Sequence, residues 1–116
     1  MLIWGTGEPR RDFLYSDDLA DACVQLMTHN YARDIGEFVN IGIGQYLTIR
    51  ELAVLVAEII AYRGKLIFET SRPDGTPRKL LDLSHLKALG WTARTPLREG
   101  LAFAYRDFLR YLPLRK

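Results

Sequence analysis

A single cysteine, Cys23, occurs in this chain. That excludes an internal disulfide and any multi-cysteine metal centre, and its place in a helical apolar pattern reads as core rather than as a reactive thiol. Only two histidines are present. His29 and His85 fall in no catalytic pattern and read as helix-surface residues, so no metal site is expected. No apolar run approaches the roughly 20 residues that cross a bilayer, and the first residues lack a basic-then-apolar leader. No membrane partner is expected, and a cytoplasmic location is the default. A clustered basic patch is also missing. Residues 1–58 hold four basic and nine acidic side chains and residues 59–116 hold twelve and five, yet the second half's arginines are dispersed. No nucleic-acid partner is therefore expected, since that function needs a patch or a recognisable motif. There is no internal repeat or low-complexity tract. What remains is 48% hydrophobic and 26% charged with a net charge of +2 over 116 residues, ordinary for a soluble domain.

Against this background two segments stand out. Arg72-Pro73-Asp74-Gly75-Thr76-Pro77-Arg78-Lys79-Leu80-Leu81-Asp82 joins two φ-restricted prolines and a glycine to a cluster of charges, more than a plain connector needs. Arg78 and Lys79 side by side suit an anionic ligand such as a diphosphate, Arg as a planar fork and Lys as a point charge. The structural alternative is a solvated surface loop, with Asp74 as a turn former. Near the start, Trp4-Gly5-Thr6-Gly7-Glu8-Pro9-Arg10-Arg11-Asp12-Phe13-Leu14-Tyr15-Ser16-Asp17-Asp18-Leu19-Ala20 again combines an aromatic, a glycine-rich turn and adjacent arginines. Trp4 offers a flat face for a base or sugar and Arg11 a partner for phosphate. Otherwise Trp4 ends a buried strand and Arg11 is a surface charge. Two such sites in one small chain point to one shared ligand.

These residues, with Glu37-Phe38-Val39-Asn40-Ile41-Gly42, Thr48-Ile49-Arg50-Glu51-Leu52-Ala53 and Leu89-Gly90-Trp91, resemble the C-terminal part of the GDP-L-fucose synthases. Those enzymes are extended short-chain dehydrogenase/reductases of the NAD-dependent epimerase/dehydratase family. The resemblance runs in order along nearly the whole chain, and the Pro-Asp-Gly-Thr-Pro-Arg-Lys-Leu-Leu-Asp run is its most specific part. It implies C3/C5 epimerisation and NADPH-dependent C4 reduction of GDP-4-keto-6-deoxy-D-mannose to GDP-L-fucose by the whole enzyme. It also implies substrate-binding roles for Trp4, Arg11, Asp74 and Lys79, with Arg78 beside them, and GDP-sugars as partners.

The family's Tyr-x-x-x-Lys pair is missing. None of the four lysines has a tyrosine four residues before it, and Tyr62 to Lys65 is one residue too short. No catalytic residue is therefore assigned. The sequence Gly42-Ile43-Gly44 fails as a dinucleotide fingerprint because Leu47 stands where a third glycine belongs; it reads as a turn between a strand and a helix. NADPH is the cofactor of the whole family, but none is expected to bind this chain alone. Two positions depart from the family pattern. Ile43 stands where a small polar residue is usual, which bears on the turn, and Ala61 replaces a glycine, which favours one more helical residue.

Periodicity assigns strands to Met1–Trp4, Asp12–Tyr15, Phe38–Ile41 and Lys65–Glu69. A first helix is capped by Ser16, with Leu19, Cys23, Leu26 and Met27 inward. A second follows a Thr48/Glu51 capping box with Ile49, Leu52, Val56, Ile59 and Ile60 as its apolar face, in a unit that Gly64 ends. Ser84 caps a brief helix stopped by Gly90. Thr95-Pro96 opens a last one through Leu97, Leu101, Tyr105, Phe108 and Leu112. The fold expected is α/β: a remnant of a parallel Rossmann sheet plus a small α/β substrate-binding domain, with the N-terminal cofactor-binding part absent. Residues 1–62 are expected to close the nucleotide-binding domain, 63–112 to form the substrate-binding domain, and 113–116 to be a basic tail. The function expected is a GDP-sugar clamp, inactive alone, that associates with an N-terminal half or as a homodimer. The alternatives are a non-catalytic nucleotide-sugar-binding module and a structural or assembly fragment.

Overall fold

The computed structural model describes residues 1–112, and the basic tail at 113–116 lies outside the described residues. The chain is α/β. Strand β1 (Leu2–Trp4) pairs in parallel with β4 (Ile67–Glu69), Trp4 opposite Glu69. Strand β2 (Arg10–Arg11) pairs antiparallel with β3 (Leu47–Thr48), and Arg10 also bridges to Arg78. Three stretches of chain far apart in sequence therefore meet around residues 5–11.

Helix α1 (Ser16–His29) carries Asp17 and Asp18 in its first turn, where the helix dipole favours acids. Ser16 is its first residue and not its cap; Tyr15 holds that position without a side-chain bond. Its buried residues are Asp18, Ala22 and Leu26, one every four along a single face. The expected inward stripe is thus rotated: Leu26 is shared, but Met27 is 83% exposed and Leu19 is exposed. Cys23 is exposed as well, which corrects its reading as core. The face was chosen by what packs on it. Ala22 and Leu26 join Leu83, Leu86 and Trp91 in the core, the Trp91 indole donates to Asp21 Oδ2 at 2.9 Å, and buried Asp18 accepts from Thr95 N and Oγ1 at 2.9 and 3.0 Å. Sequence periodicity does not see an aspartate that faces inward to meet a distant threonine.

A short helix α2 (Ala32–Ile35) was not foreseen; Asp34 closes its first turn by accepting from Tyr31 N at 2.9 Å. Phe38–Ile41 forms no strand, and Phe38 is 71% exposed. A strand exists only through a ladder, and none of the described strand pairs includes this segment, although Val39 and Ile41 still pack against the core. Likewise Asp12–Tyr15 is not a strand; the pairing falls two residues earlier, at β2.

Helix α3 (Ile49–Ile59) starts at the expected cap, with Thr48 Oγ1 accepting from Glu51 N at 3.0 Å, which is one half of the expected capping box. It ends in a Schellman motif and not at Gly64: Tyr62 N donates to Ala57 O at 2.8 Å and Ala61 N to Glu58 O at 3.2 Å. Ala61 is therefore no extra helical residue but the left-handed one, at φ 56°. Helix α4 (Ser84–Ala88) is entered with Ser84 N donating to Asp82 Oδ1 at 3.0 Å, so Asp82 supplies the bond expected of Ser84. It stops as expected at Gly90, φ 86°. Helix α5 (Leu97–Tyr111) follows Pro96 without a side-chain cap, because Thr95 is committed to Asp18.

Candidate functional site

Between the end of β1 and the loop after β4 lies a cleft of about 230 Å³ lined by Trp4, Gly7, Pro9, Arg11, Ile49, Asp74 and Gly75. Three of the five residues singled out in the sequence, Trp4, Arg11 and Asp74, thus face one space. The backbone explains the convergence. Gly5 N donates to Glu69 O at 3.0 Å and continues the β1/β4 ladder into the turn, while Arg10 N donates to Pro77 O at 3.0 Å. The first turn of α3 holds the same turn from below through Ile49 N to Pro9 O and Arg50 N to Gly7 O, both at 3.0 Å.

Each side chain has a defined setting. Arg11 Nη1 donates to the carbonyls of Arg10 and Thr76, both at 2.7 Å. Those bonds use two of the guanidinium's five donors and fix its plane. The Asp74 carboxylate accepts from Thr6 N at 2.8 Å and from Thr6 Oγ1 at 2.7 Å. Trp4, 64% exposed, carries the Arg72 guanidinium over its ring at 4.7 Å, and Arg72 Nε lies 3.9 Å from Glu69 Oε2. Arg78 and Lys79 do not line the cleft. They follow in the same exposed loop, with Arg78 beside Arg10.

Sequence reasoning missed Thr6, Arg50 and Arg72. Arg50 donates to Thr6 O at 2.9 Å and stacks on Phe68 at 3.9 Å, bracing the turn from its other side. The available signal was Thr6 between two glycines; nothing local marks Arg50 as its partner.

The glycine-rich turn at residues 42–44 is a candidate place for the family's dinucleotide, but its amides are already engaged. Ile43 N and Gly44 N donate to the two Asp12 carboxylate oxygens at 3.1 and 3.0 Å. A Cβ at Gly42 would lie 2.6 Å from Asp12 Oδ2. An anion of this chain fills the cradle, so the turn does not fit a pyrophosphate, and Ile43 is accommodated in it without loss of either bond. Among the described residues no group of three or more His, Cys, Asp or Glu side chains is placed to hold a metal. No described helix is long and apolar enough to cross a membrane.

Comparison with known proteins gives this geometry a context. Residues 1–42 match the family model "NAD dependent epimerase/dehydratase family". The chain is 52% identical over 110 residues to GDP-L-fucose synthase 1 of Arabidopsis thaliana, covering 95% of this chain and 33% of that protein. It is 42% identical over 115 residues to the GDP-L-fucose synthase of Escherichia coli, covering 94% and 36%. Among solved structures, a GDP-mannoheptose C4 reductase from Campylobacter jejuni with NADP bound superposes with a TM-score of 0.81 at 37% identity, over 93% of this chain and 34% of that one. The chain therefore spans about one third of the length of the curated relatives it matches, and with that span it belongs to the NAD-dependent epimerase/dehydratase family, among the GDP-L-fucose synthases.

Proposed function

We propose that this chain is the C-terminal, GDP-sugar-binding part of a GDP-L-fucose synthase and does not turn over alone. The observation that carries the reading is the meeting of Trp4, Arg11 and Asp74 in one cleft from segments some seventy residues apart. Trp4 supplies an apolar wall for a base or sugar. Arg11, with its plane fixed by two carbonyls, presents its remaining donors to a diphosphate. Lys79 and Arg78 add positive charge further along the loop, and Asp74 has acceptor sites left beyond its two bonds to Thr6. A cleft of about 230 Å³ is below the roughly 300–1,000 Å³ of complete ligand pockets, as suits half of a site.

In this reading residues 1–62 close a nucleotide-binding domain and residues 63–112 form the substrate-binding one. The substrate of the whole enzyme is GDP-4-keto-6-deoxy-D-mannose and the product GDP-L-fucose. NADPH supplies hydride to C4 there, held by residues outside this chain, whose own glycine-rich turn is filled by Asp12. The partner is an N-terminal half, or a second copy in a homodimer, in the cytoplasm. A non-catalytic GDP-sugar-binding module is the second reading, favoured by the missing Tyr-x-x-x-Lys pair. It predicts the same cleft occupancy without activity in any assembly.

Calorimetric titration of the purified chain with GDP-L-fucose tests the clamp. Saturable binding is expected, weakened about tenfold or more in Arg11→Ala, as loss of a charge-assisted hydrogen bond worth about 1.5–3 kcal/mol requires, and less in Lys79→Ala. No heat from a folded chain overturns the reading.

A further inference from the structure

We propose that Thr6 is a positioning residue which, with Asp74, latches the 70–79 loop over the Trp4–Pro9 turn and so sets the shape of the GDP-sugar cleft; the inference rests on the function proposed above. Both Asp74 oxygens are engaged by the same residue, Oδ1 by the Thr6 amide at 2.8 Å and Oδ2 by its hydroxyl at 2.7 Å. The bonds span 68 positions of sequence. A carboxylate held bidentately by an amide and a hydroxyl of one residue has a fixed orientation, and hydrogen bonds to an ionised acceptor are the strong kind.

The neighbouring backbone is fitted to this contact. Gly5 has φ 89°, and a Cβ there would stand 2.2 Å from Asp74 Oδ1, so no other residue lets the carboxylate reach Thr6. Thr6 Oγ1 also accepts from Glu8 N at 3.1 Å, which orients the hydroxyl so that its proton points to Asp74. A second tie lies further along the loop, where Arg11 Nη1 donates to Thr76 O at 2.7 Å. Gly75 sits between the two ties, and a Cβ there would stand 3.1 Å from Arg11 Nη2. The loop is pinned on both sides of Gly75, and the latch thereby fixes the distance between the cleft's aromatic wall and its guanidinium.

Hydrogen exchange of the 70–79 loop, measured beside GDP-L-fucose titrations on the same preparations, tests this. In Thr6→Val the loop amides are expected to exchange about tenfold faster, with affinity falling by a similar factor, as one lost bond to a charged acceptor implies. Thr6→Ser, which keeps the hydroxyl, should restore both. Asp74→Ala combined with Thr6→Val should exchange no faster than Asp74→Ala alone, because the two act as one contact. Loop exchange unchanged in Thr6→Val, or additive effects in the double variant, overturns the latch. A role in stability alone would lower the unfolding midpoint and raise exchange in all regions equally, which also overturns it. Wild-type chain that binds no GDP-L-fucose would overturn the clamp, and the exchange arm would still decide the latch.

Discussion

Ala61 shows how much one residue can be misplaced by sequence alone. A helix-favouring residue at the end of a helical pattern is expected to extend it, yet Ala61 occupies the left-handed position of the Schellman motif at φ 56°. That conformation costs a residue with a Cβ about 1–2 kcal/mol, partly offset because glycine loses more chain entropy on folding. Ala61→Gly is therefore expected to stabilise the chain by about 0.5–1 kcal/mol, read as a higher urea midpoint at unchanged slope; a lower midpoint would contradict the assigned geometry. Trp4, Arg11 and Asp74 were legible because each sits in a segment dense with glycine, proline and charge. Thr6, Arg50 and Arg72 were not, because the contacts that tie them to the turn and the loop, Thr6 to Asp74, Arg50 to Thr6 and Arg72 to Trp4, join residues distant in sequence. Cys23 was misread for a related reason: its spacing fits a helix face, but the packed face is the one carrying Ala22 and Leu26.

Helix ends were legible where the signal is local and lost where tertiary partners compete. Thr48 caps α3 and Gly90 ends α4 as their neighbours in sequence imply. Ser16, Ser84 and Thr95 are good cap residues that make no cap bond; Thr95 is taken by Asp18, and Asp82 takes the capping role ahead of α4. The Ser84 backbone amide, then its hydroxyl, hold the Asp82 carboxyl below its ordinary pKa. A lowered folded value means that the contribution to stability is complete above the unfolded carboxylate range and is lost as pH falls through the folded value. Asp82→Asn is therefore expected to flatten this acid-side dependence in thermal unfolding scanned between neutral and strongly acidic pH. An unchanged pH profile would show that the carboxylate's entry bond to α4 contributes nothing. The missing strand at Phe38–Ile41 belongs to this scale too: the apolar pattern is right for a strand, and the ladder that would define it is not among the described residues.

At the scale of the molecule, the accessible surface is 8550 Å², against roughly 6,450 Å² for a compact monomer of 13.3 kDa. The radius of gyration is 17.1 Å, against about 13 Å for a compact chain of this length. Among the described residues, two short sheets of two strands each and a core of five buried apolar residues leave large apolar side chains such as Leu2, Val24, Met27 and Val54 exposed. Small-angle scattering of dilute folded chain is accordingly expected to give a radius nearer 17.1 Å than 13 Å, rising with concentration as these faces meet. A concentration-independent value near 13 Å would mean that the open arrangement closes on itself in solution.

The sequence by itself determined the α/β class, the caps and stops whose partners lie within three or four residues, and the segments that carry Trp4, Arg11 and Asp74 to one cleft, because turn chemistry and helical periodicity are local. Only the tertiary structure decided which face of α1 is buried, that Asp12 fills the glycine-rich turn, and that Thr6 holds Asp74 across the cleft. Those outcomes depend on which distant group reaches a given donor or acceptor first, and spacing along the chain carries no record of that competition.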